Sequence, residues 1–336
     1  MSKLFKVTSS PHIRHQDSTR GIMLDVIIAL LPAAIYGCVL FGPKAVLVLF
    51  TTIATAVAAE ALWNIALHKQ QTIGDLSAVL TGLLLGMNLS SETPLWIAAI
   101  GSVVAIIVVK QMFGGLGFNF ANPAMTARIV LLASFAGQMS NYAVQPLDWL
   151  SGVDATTTAT PMSSETSGQL YFGLQEIVAD APQQTTYTFK QLFLGQHNGS
   201  IGETCSFLLI IGGIYLMLRR VIKPIIPVSF IGTVAVATLI ANLFTKEDVS
   251  LTLAIFGGGL MLGAIFMATD YVTSPTTNLG KLIFGVGCGL LTFVIRTFSP
   301  LPEGVSYAIL LMNILTPHIN RLTISKPFGA MEVASK

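Results

Sequence analysis

Ten apolar runs recur along nearly the whole 336-residue chain, and they limit its possible folds more than any other feature. A helix needs roughly 20 apolar residues to cross the hydrocarbon core of a bilayer. Only 10% of the residues are charged, whereas soluble domains contain roughly 25%. The sequence therefore predicts an all-α integral membrane protein of about ten transmembrane helices. The predicted segments are 22–41, 45–67, 76–89, 95–113, 123–137, 204–218, 225–244, 251–268, 279–298 and 305–319.

The distribution of positive charge predicts the orientation of these helices. Ten crossings place both termini on one side of the membrane, and that side then carries fourteen of the eighteen Lys and Arg residues. The opposite side carries only Lys44, Lys190, Lys246 and Arg296. Because cytoplasmic loops are enriched in Lys and Arg, we expect both termini in the cytoplasm. The polar start of the chain is too long and too mixed for a signal peptide, so the first helix is expected to be an uncleaved anchor.

Residues 138–203 are the only long polar stretch, and Lys190 is their single basic residue. Such a loop belongs outside the cytoplasm, and it separates five predicted helices from five. Halves with an odd number of helices are inverted relative to each other, as in many transporters. The runs TGLLLGM at 81–87 and GGLMLGA at 258–264 support this, although Leu/Gly-rich helices also look alike by chance. The predicted divisions are a cytoplasmic segment 1–21, a first half 22–137, the loop 138–203, a second half 204–319 and a cytoplasmic tail 320–336.

Two polar breaks between helices are the candidate binding regions. The break at 114–128 contains three glycines and Pro123 beside Asn119 and Asn122, and a helix N-terminus there suits a polar or anionic ligand. The break at 269–280 begins with Asp270, directly after an apolar run. An ionisable group at membrane depth indicates function by default. A purely structural turn is the alternative explanation for the glycines.

Other polar residues in or near the helices have simpler explanations. Asp25 and Arg128 lie near helix ends and can be interfacial, whereas Glu60 is deeper and can face a subunit contact or an ion path. Ser274 or Thr277 can cap the ninth helix.

Three separated cysteines exclude the usual cysteine-rich metal sites. Cys38, Cys205 and Cys288 lie in or beside apolar runs and form no Cys-x-x-Cys pattern. We interpret them as small buried hydrophobic residues, and we expect no metal site, whether zinc or iron–sulfur, from this chain alone.

Three motifs together resemble one protein family. They are GGLGFNFANPAM at 114–125, DATTTATP at 154–161 and TDYVTSPTTNLG at 269–280. In this order and with these predicted locations, the chain resembles the family that contains the D subunits of Rnf (Rsx) complexes and the B subunits of sodium-pumping NADH:quinone reductases. The resemblance covers essentially the whole chain, and the compact loop is more similar to the Rnf members.

The resemblance implies a flavin-carrying subunit of a membrane complex that couples ferredoxin:NAD⁺ oxidoreduction to Na⁺ or H⁺ translocation. It implies an FMN joined through a phosphoester to Thr160, with Asp154 and Thr157 recognised by a separate flavin transferase. Thr276 belongs to a similar D-x-x-T-x-x-T run, but this run has a proline before the threonine and is predicted to be cytoplasmic, so we expect one covalent flavin.

The family also implies a second, non-covalent flavin, which is riboflavin in the quinone-reductase relative. We predict that Asn119, Asn122 and Asp270 line this second site near the cytoplasmic face, because amide and carboxylate groups can hydrogen-bond a flavin edge or ribityl chain.

The expected partners follow from what the chain lacks. It has no cysteine sets for iron–sulfur clusters and no convincing nicotinamide-binding domain, so it is not catalytic alone. The resemblance implies other Rnf subunits, including the FMN-bearing G subunit and the iron–sulfur and nicotinamide-binding subunits, in a bacterial or archaeal cytoplasmic membrane. We expect contact with membrane lipid and none with nucleic acid. Two alternatives remain at this stage: a secondary transporter with inverted repeats and no redox role, and a purely structural membrane subunit.

Overall fold

The computed structural model describes the chain at residues 18–143, 157–158, 189–195, 197–245, 250–299 and 304–324. Within these ranges the chain is helical apart from one pair of two-residue strands, which agrees with the predicted all-α class.

The first half is built from helices whose ends follow from local sequence. Ser18 caps the first helix by accepting a hydrogen bond from the Gly21 amide, and Gly42 separates the first two helices with a φ of 74°. A short 3₁₀ turn, Ile73–Asp75, precedes the third helix. The helices are α1 (Thr19–Phe41), α2 (Pro43–Ala66), α3 (Ser77–Met87), α4 (Leu95–Val103, continued by the π-helical stretch Val104–Gln111), α5 (Pro123–Ser134) and α6 (Ala136–Met139).

The remaining helices follow residue 188, and the first of them, Phe189–Leu194, lies within the predicted loop 138–203. Thr277 caps a long helix by accepting a hydrogen bond from the Gly280 amide at 3.0 Å, which confirms one of the two capping residues considered from the sequence. The helices are α7 (Phe189–Leu194), α8 (Ser206–Leu218), α9 (Ile225–Thr245), α10 (Leu251–Phe256), α11 (Leu260–Leu262, continued by the π-helical stretch Gly263–Met267), α12 (Asn278–Phe298) and α13 (Val305–Thr323).

Every predicted apolar segment contains helix, but two of them are not continuous. The fifth, 123–137, is interrupted at Phe135 between α5 and α6, and the eighth is interrupted at two glycines. Segment 251–268 is divided between α10 and α11 at Gly258 and Gly259, whose φ angles are 63° and 67°. Two successive residues in the left-handed region cannot propagate a right-handed helix. The Arg296 guanidinium donates to the carbonyls of Ala254, Gly257 and Gly258, at 2.7, 3.0 and 3.1 Å. The expectation of one unbroken helix in this segment is therefore wrong.

The helices have the lengths and outer faces of a membrane protein. By length and composition, four of them in the described part of the chain can cross a bilayer: Thr19–Phe41, Pro43–Ala66, Ile225–Phe244 and Asn278–Phe298. Other apolar helices, such as α3 and α5, are shorter. Large apolar side chains such as Phe50, Val228 and Leu243 are exposed on the helices, where a soluble protein would place polar residues. The fold is therefore that of an α-helical membrane protein.

Small residues allow the helices to approach closely. α2 packs against α3 and α4, and α9 packs against α12, which also contacts α13. A Cβ atom on Gly82 would lie 2.7 Å from the Ile53 Cα, so the α2–α3 contact depends on the absence of a side chain there. The two halves meet through contacts of α1 with α8 and of α5 with α13.

Candidate functional site

The two sequence breaks meet at one cleft. The cleft holds about 810 Å³ of open space, which includes solvent at its mouth. Its apolar wall comes mainly from α1, α3 and α8, and includes Val26, Leu80, Leu84, Leu216 and Phe266. Its polar groups come from the two breaks, from Ser77 and Thr81 of α3, and from Lys110 near the end of the π-helical stretch. Asn119, Asn122 and Asp270, which were predicted to lie together, all line this cleft.

The glycine-rich break shapes one edge of the cleft. Gly114, Gly115 and Gly117 have φ angles of 121°, 96° and 97°, which residues with a Cβ atom rarely adopt. This path carries the chain to Asn119, whose amide donates to the Ala121 carbonyl at 3.0 Å. Asn119 is buried at the cleft, so its side chain is held in place by the loop that supplies it.

Asn122 lines the cleft, but the fold already uses its polar atoms. Its Oδ1 atom accepts hydrogen bonds from the Ala124 and Met125 amides at 3.0 and 3.3 Å, which makes it the N-cap of α5. Its Nδ2 atom donates to the Met267 carbonyl at 3.1 Å and so joins α5 to the end of the broken segment. Asn122 therefore fixes the geometry of the cleft wall, and Asn119 and Asp270 are better placed to contact a ligand.

Asp270 lies half-buried where the second break enters the cleft. Its carboxylate accepts hydrogen bonds from the Thr273 hydroxyl at 3.2 Å, from the Asn119 side chain and from the backbone amides of Val272 and Tyr271. Burial raises the pKa of the Asp270 carboxyl, and these hydrogen bonds lower it in part. Through Asn119, the glycine-rich break thus supplies one of the hydrogen-bond partners of this acid.

Lys110 brings a positive charge to the cleft. Its ammonium lies 2.9 Å from Oε2 of Glu60 and 2.6 Å from the Ser77 hydroxyl. Gln111 donates to the other Glu60 oxygen at 3.1 Å. Lys110 and Ser77 line the cleft, whereas Glu60 is fully buried behind them. The explanation of Glu60 as a residue facing a subunit contact is therefore wrong, because its carboxylate is satisfied inside this chain.

A second buried charge cluster lies at the opposite end of the helices. Arg128 donates to Oδ1 of Asn88 at 2.7 Å and lies 3.5 Å from Oε1 of Glu203. Glu203 packs against Gly259, the last residue of the helix break. Arg128 is buried, so the expected interfacial position does not describe its side chain. Asp25, in contrast, pairs with the exposed Arg219 at 3.1 Å.

Part of the predicted flavin-attachment motif is fixed by backbone pairing. The strand Thr157–Thr158 pairs antiparallel with Tyr142–Ala143, so that Thr158 is opposite Tyr142. Tyr142 is buried, and burial raises the pKa of its hydroxyl to about 12, with Arg128 and Glu203 close enough to influence it. The backbone at Thr157 is thus joined to the segment that follows α6.

The remaining residues of that motif lie outside the described chain. Asp154 and Thr160 are not among the described residues, so their predicted roles remain predictions. Thr276 precedes α12, where its amide and hydroxyl interact with Asn320 at 3.1 and 3.4 Å. Within the described ranges there is no group of three His, Cys, Asp or Glu residues suited to a metal ion. Cys205 and Cys288 are buried, which confirms their interpretation as small buried residues, whereas Cys38 is only half-buried.

Lys110, Ser77 and Glu203 were not predicted to belong to a site. A signal existed for Lys110 and Glu60, since opposite charges within apolar helices usually pair. Lys110 and Glu60 are 50 positions apart in the sequence and belong to different helices. Local sequence patterns do not specify such a pairing.

The chain matches known proteins over nearly its whole length. A sequence model of the NQR2, RnfD, RnfE family matches residues 6–329. The D subunit of the Na⁺-translocating ferredoxin:NAD⁺ oxidoreductase complex of Acetobacterium woodii is 43% identical, over 97% of this chain and 96% of the relative. The D subunit of the proton-translocating ferredoxin:NAD⁺ oxidoreductase complex of Clostridium ljungdahlii is 44% identical, with the same coverage. The D subunit of the ion-translocating oxidoreductase complex of Stutzerimonas stutzeri is 40% identical, over 94% of this chain and 93% of the relative. This chain therefore belongs to the NQR2, RnfD, RnfE family.

Proposed function

We propose that this chain is the flavin-carrying D subunit of a membrane complex that couples ferredoxin:NAD⁺ oxidoreduction to ion translocation. The observation that carries the proposal is the cleft in which Asn119, Asp270 and Lys110 converge between apolar walls. The names of the relatives supply the reaction. They do not supply the ion, because a Na⁺-translocating and a proton-translocating relative are equally similar to this chain.

The residues of the cleft fit a non-covalent flavin such as riboflavin. Apolar side chains of α1, α3 and α8 can cover a flat ring, while Asn119 and Asp270 offer hydrogen-bonding groups at one edge. A bound flavin supplies the capacity to accept and release electrons. Lys110 adds an ammonium to the cleft wall, where it is paired with the buried Glu60 carboxylate at 2.9 Å, so the pair is polar but carries no net charge.

A covalent FMN on Thr160 is the second part of the proposal. A hydroxyl is needed to form the phosphoester, and the small neighbour Ala159 leaves room for a flavin transferase that recognises Asp154 and Thr157. The backbone pairing of Thr157–Thr158 with Tyr142–Ala143 supports the proposal, because it anchors two residues of the motif that stand close before Thr160 in the sequence. The phosphoester adds negative charge, which suits a loop in water outside the bilayer.

The proposed topology is ten crossings in two inverted halves with both termini in the cytoplasm. The fourteen-to-four distribution of basic residues supports the orientation. The contacts of α1 with α8 and of α5 with α13 support a twofold repeat, because each joins corresponding helices of the two halves, and an odd number of helices in each half makes such a repeat inverted. In this arrangement the cleft opens near the cytoplasmic face and the acceptor loop lies outside. The complex is proposed to reside in the cytoplasmic membrane of a bacterium or archaeon.

Other subunits must supply the remaining redox centres. In the proposed complex these are iron–sulfur and nicotinamide-binding subunits and the FMN-bearing G subunit. A secondary transporter is less well supported. The carbonyls exposed by a broken helix often coordinate the transported ion in such proteins, but here Arg296 already binds the carbonyls of Ala254, Gly257 and Gly258.

The test is the flavin content of the purified protein after denaturation. Covalent flavin stays with the polypeptide, whereas the flavin of the cleft is released and can be measured by chromatography. The variants Asn119→Ala and Asp270→Asn are expected to lose the released flavin and to keep the covalent one. Thr55→Ala, whose hydroxyl bonds only to the backbone of α2, is the matched control and should retain both. Unchanged release from the Asn119 and Asp270 variants would remove the cleft from the proposal.

A further inference from the structure

A basic pocket lies next to the cleft, on its cytoplasmic side in the proposed topology. It holds about 450 Å³ of open space between the α8–α9 connection and the residues that begin α12. Arg220, Lys223 and Lys281 supply its charge, and Thr269 and Ser274 supply hydroxyls. Four residues line both the pocket and the cleft: Val221, Ile222, Thr269 and Tyr271. The pocket therefore adjoins the predicted flavin site and shares a wall with it, whereas its basic residues line the pocket alone.

The positive charge of this pocket is not neutralised by the described part of the chain. None of the described residues that line it is acidic. Lys223 donates to Oδ1 of Asn278 at 2.9 Å, and neither Arg220 nor Lys281 forms an ion pair with a described residue. Arg220 also has a φ of 60°, a conformation that costs energy in a residue with a Cβ atom. Three cations held together in this way favour an anionic ligand.

Two helix N-termini add to the same potential. α9 begins at Ile225 and α12 begins at Asn278, and both ends border the pocket. The positive end of a helix dipole and its free backbone amides favour negative groups such as phosphate. Ser274, which is only 8% exposed, gives the pocket a nearly buried hydroxyl. The pocket thus offers charge, amides and a hydroxyl to one anion.

The surface beyond the pocket is apolar. Val228 near the start of α9 is 66% exposed, and Leu279 and Leu282 near the start of α12 are also exposed. An acyl chain attached to an anion in the pocket could lie along this surface. Anionic lipids are enriched in the cytoplasmic leaflet, and basic pockets between transmembrane helices bind their head groups. We propose that this pocket binds the phosphate of an anionic phospholipid whose acyl chains cover the adjoining faces of α9 and α12.

The test uses the full chain, purified in neutral detergent and depleted of lipid. Binding of phosphatidylglycerol is measured by native mass spectrometry, with phosphatidylcholine as the uncharged comparison and inorganic phosphate as competitor. The double variant Lys223→Gln/Lys281→Gln should bind phosphatidylglycerol about thirty-fold more weakly, because each basic residue near a membrane strengthens such binding roughly five-fold. Lys223→Arg/Lys281→Arg should retain binding, since it keeps both charges.

Arg219 provides the matched control. It lies in the same α8–α9 connection, but its guanidinium is paired with Asp25. Arg219→Gln should therefore change phosphatidylglycerol affinity much less than the double variant does. Equal effects of the two changes would overturn the pocket as the site. Equal binding of phosphatidylcholine, or displacement of the lipid by inorganic phosphate at matched concentration, would overturn the assignment to an anionic lipid.

Discussion

Replacement of Lys110 by Met is expected to destabilise the protein by about 3–5 kcal/mol, because the Glu60 carboxylate would remain buried without its cation. The two side chains are 3% and 0% exposed, and their charged atoms are 2.9 Å apart. Lys110 also donates to Ser77, a hydrogen bond that methionine cannot make. Glu60→Gln should cause a similar loss, since it leaves the ammonium buried. The double variant Glu60→Gln/Lys110→Met buries no charge and should recover most of the lost stability.

The free energy of unfolding can be measured by reversible unfolding of the detergent-solubilised chain in increasing SDS. The pair Lys44–Glu92 is a control with the same 2.9 Å separation, but its lysine is 58% exposed. Lys44→Met should therefore change stability by at most about 1 kcal/mol. If the double variant at Glu60 and Lys110 loses as much stability as the two single variants lose together, the predicted coupling between the two charges is refuted. A loss for Lys44→Met as large as for Lys110→Met would refute burial as its cause.

Two further predictions concern packing and pH. Gly82→Ala should destabilise the protein by about 1–3 kcal/mol in thermal unfolding, because its Cβ would meet the α2 backbone at 2.7 Å, whereas Gly232→Ala, which meets nothing within 4 Å, should leave stability unchanged or slightly higher. A larger loss for Gly232→Ala would contradict this. Burial lowers the pKa of His197 from 6.5 to about 4. The folded protein keeps this histidine neutral, so its contribution to the free energy of unfolding is complete above pH 6.5 and is lost as the pH falls towards 4. His197→Gln should reduce this acid-side decline in melting temperature, and an identical decline in the variant would contradict the assignment.

The positions of the helices could be predicted because each rests on a local signal. Apolar runs located the helices of both predicted halves but not α7, which lies within the predicted polar loop, and the proline that follows Asn122 placed the start of α5 correctly. The meeting of Asn119 with Asp270 could also be predicted, because both breaks lie on the same side of the membrane in the predicted topology. In these cases the feature follows from residues at the same place in the sequence.

The remaining features depend on contacts between distant segments. Segment 251–268 is uniformly apolar apart from its glycines, and its break becomes stable only because Arg296, about 40 residues away, binds the released carbonyls. The partners of Glu60 and Arg128 likewise come from other helices. Periodicity and composition identify such buried charges but do not identify what they pair with.

Peptide mass spectrometry of the purified protein tests the central claim most directly. After co-expression with a flavin transferase, the peptide that contains Thr160 should carry the mass of an esterified FMN, and the peptide that contains Thr276 should be unmodified. Thr160→Ala should abolish the adduct, and Thr158→Ala, at a variable position of the motif, should retain it. An adduct that persists in Thr160→Ala, or that is found on Thr276, would contradict the assignment of this chain's outer loop as the flavin carrier.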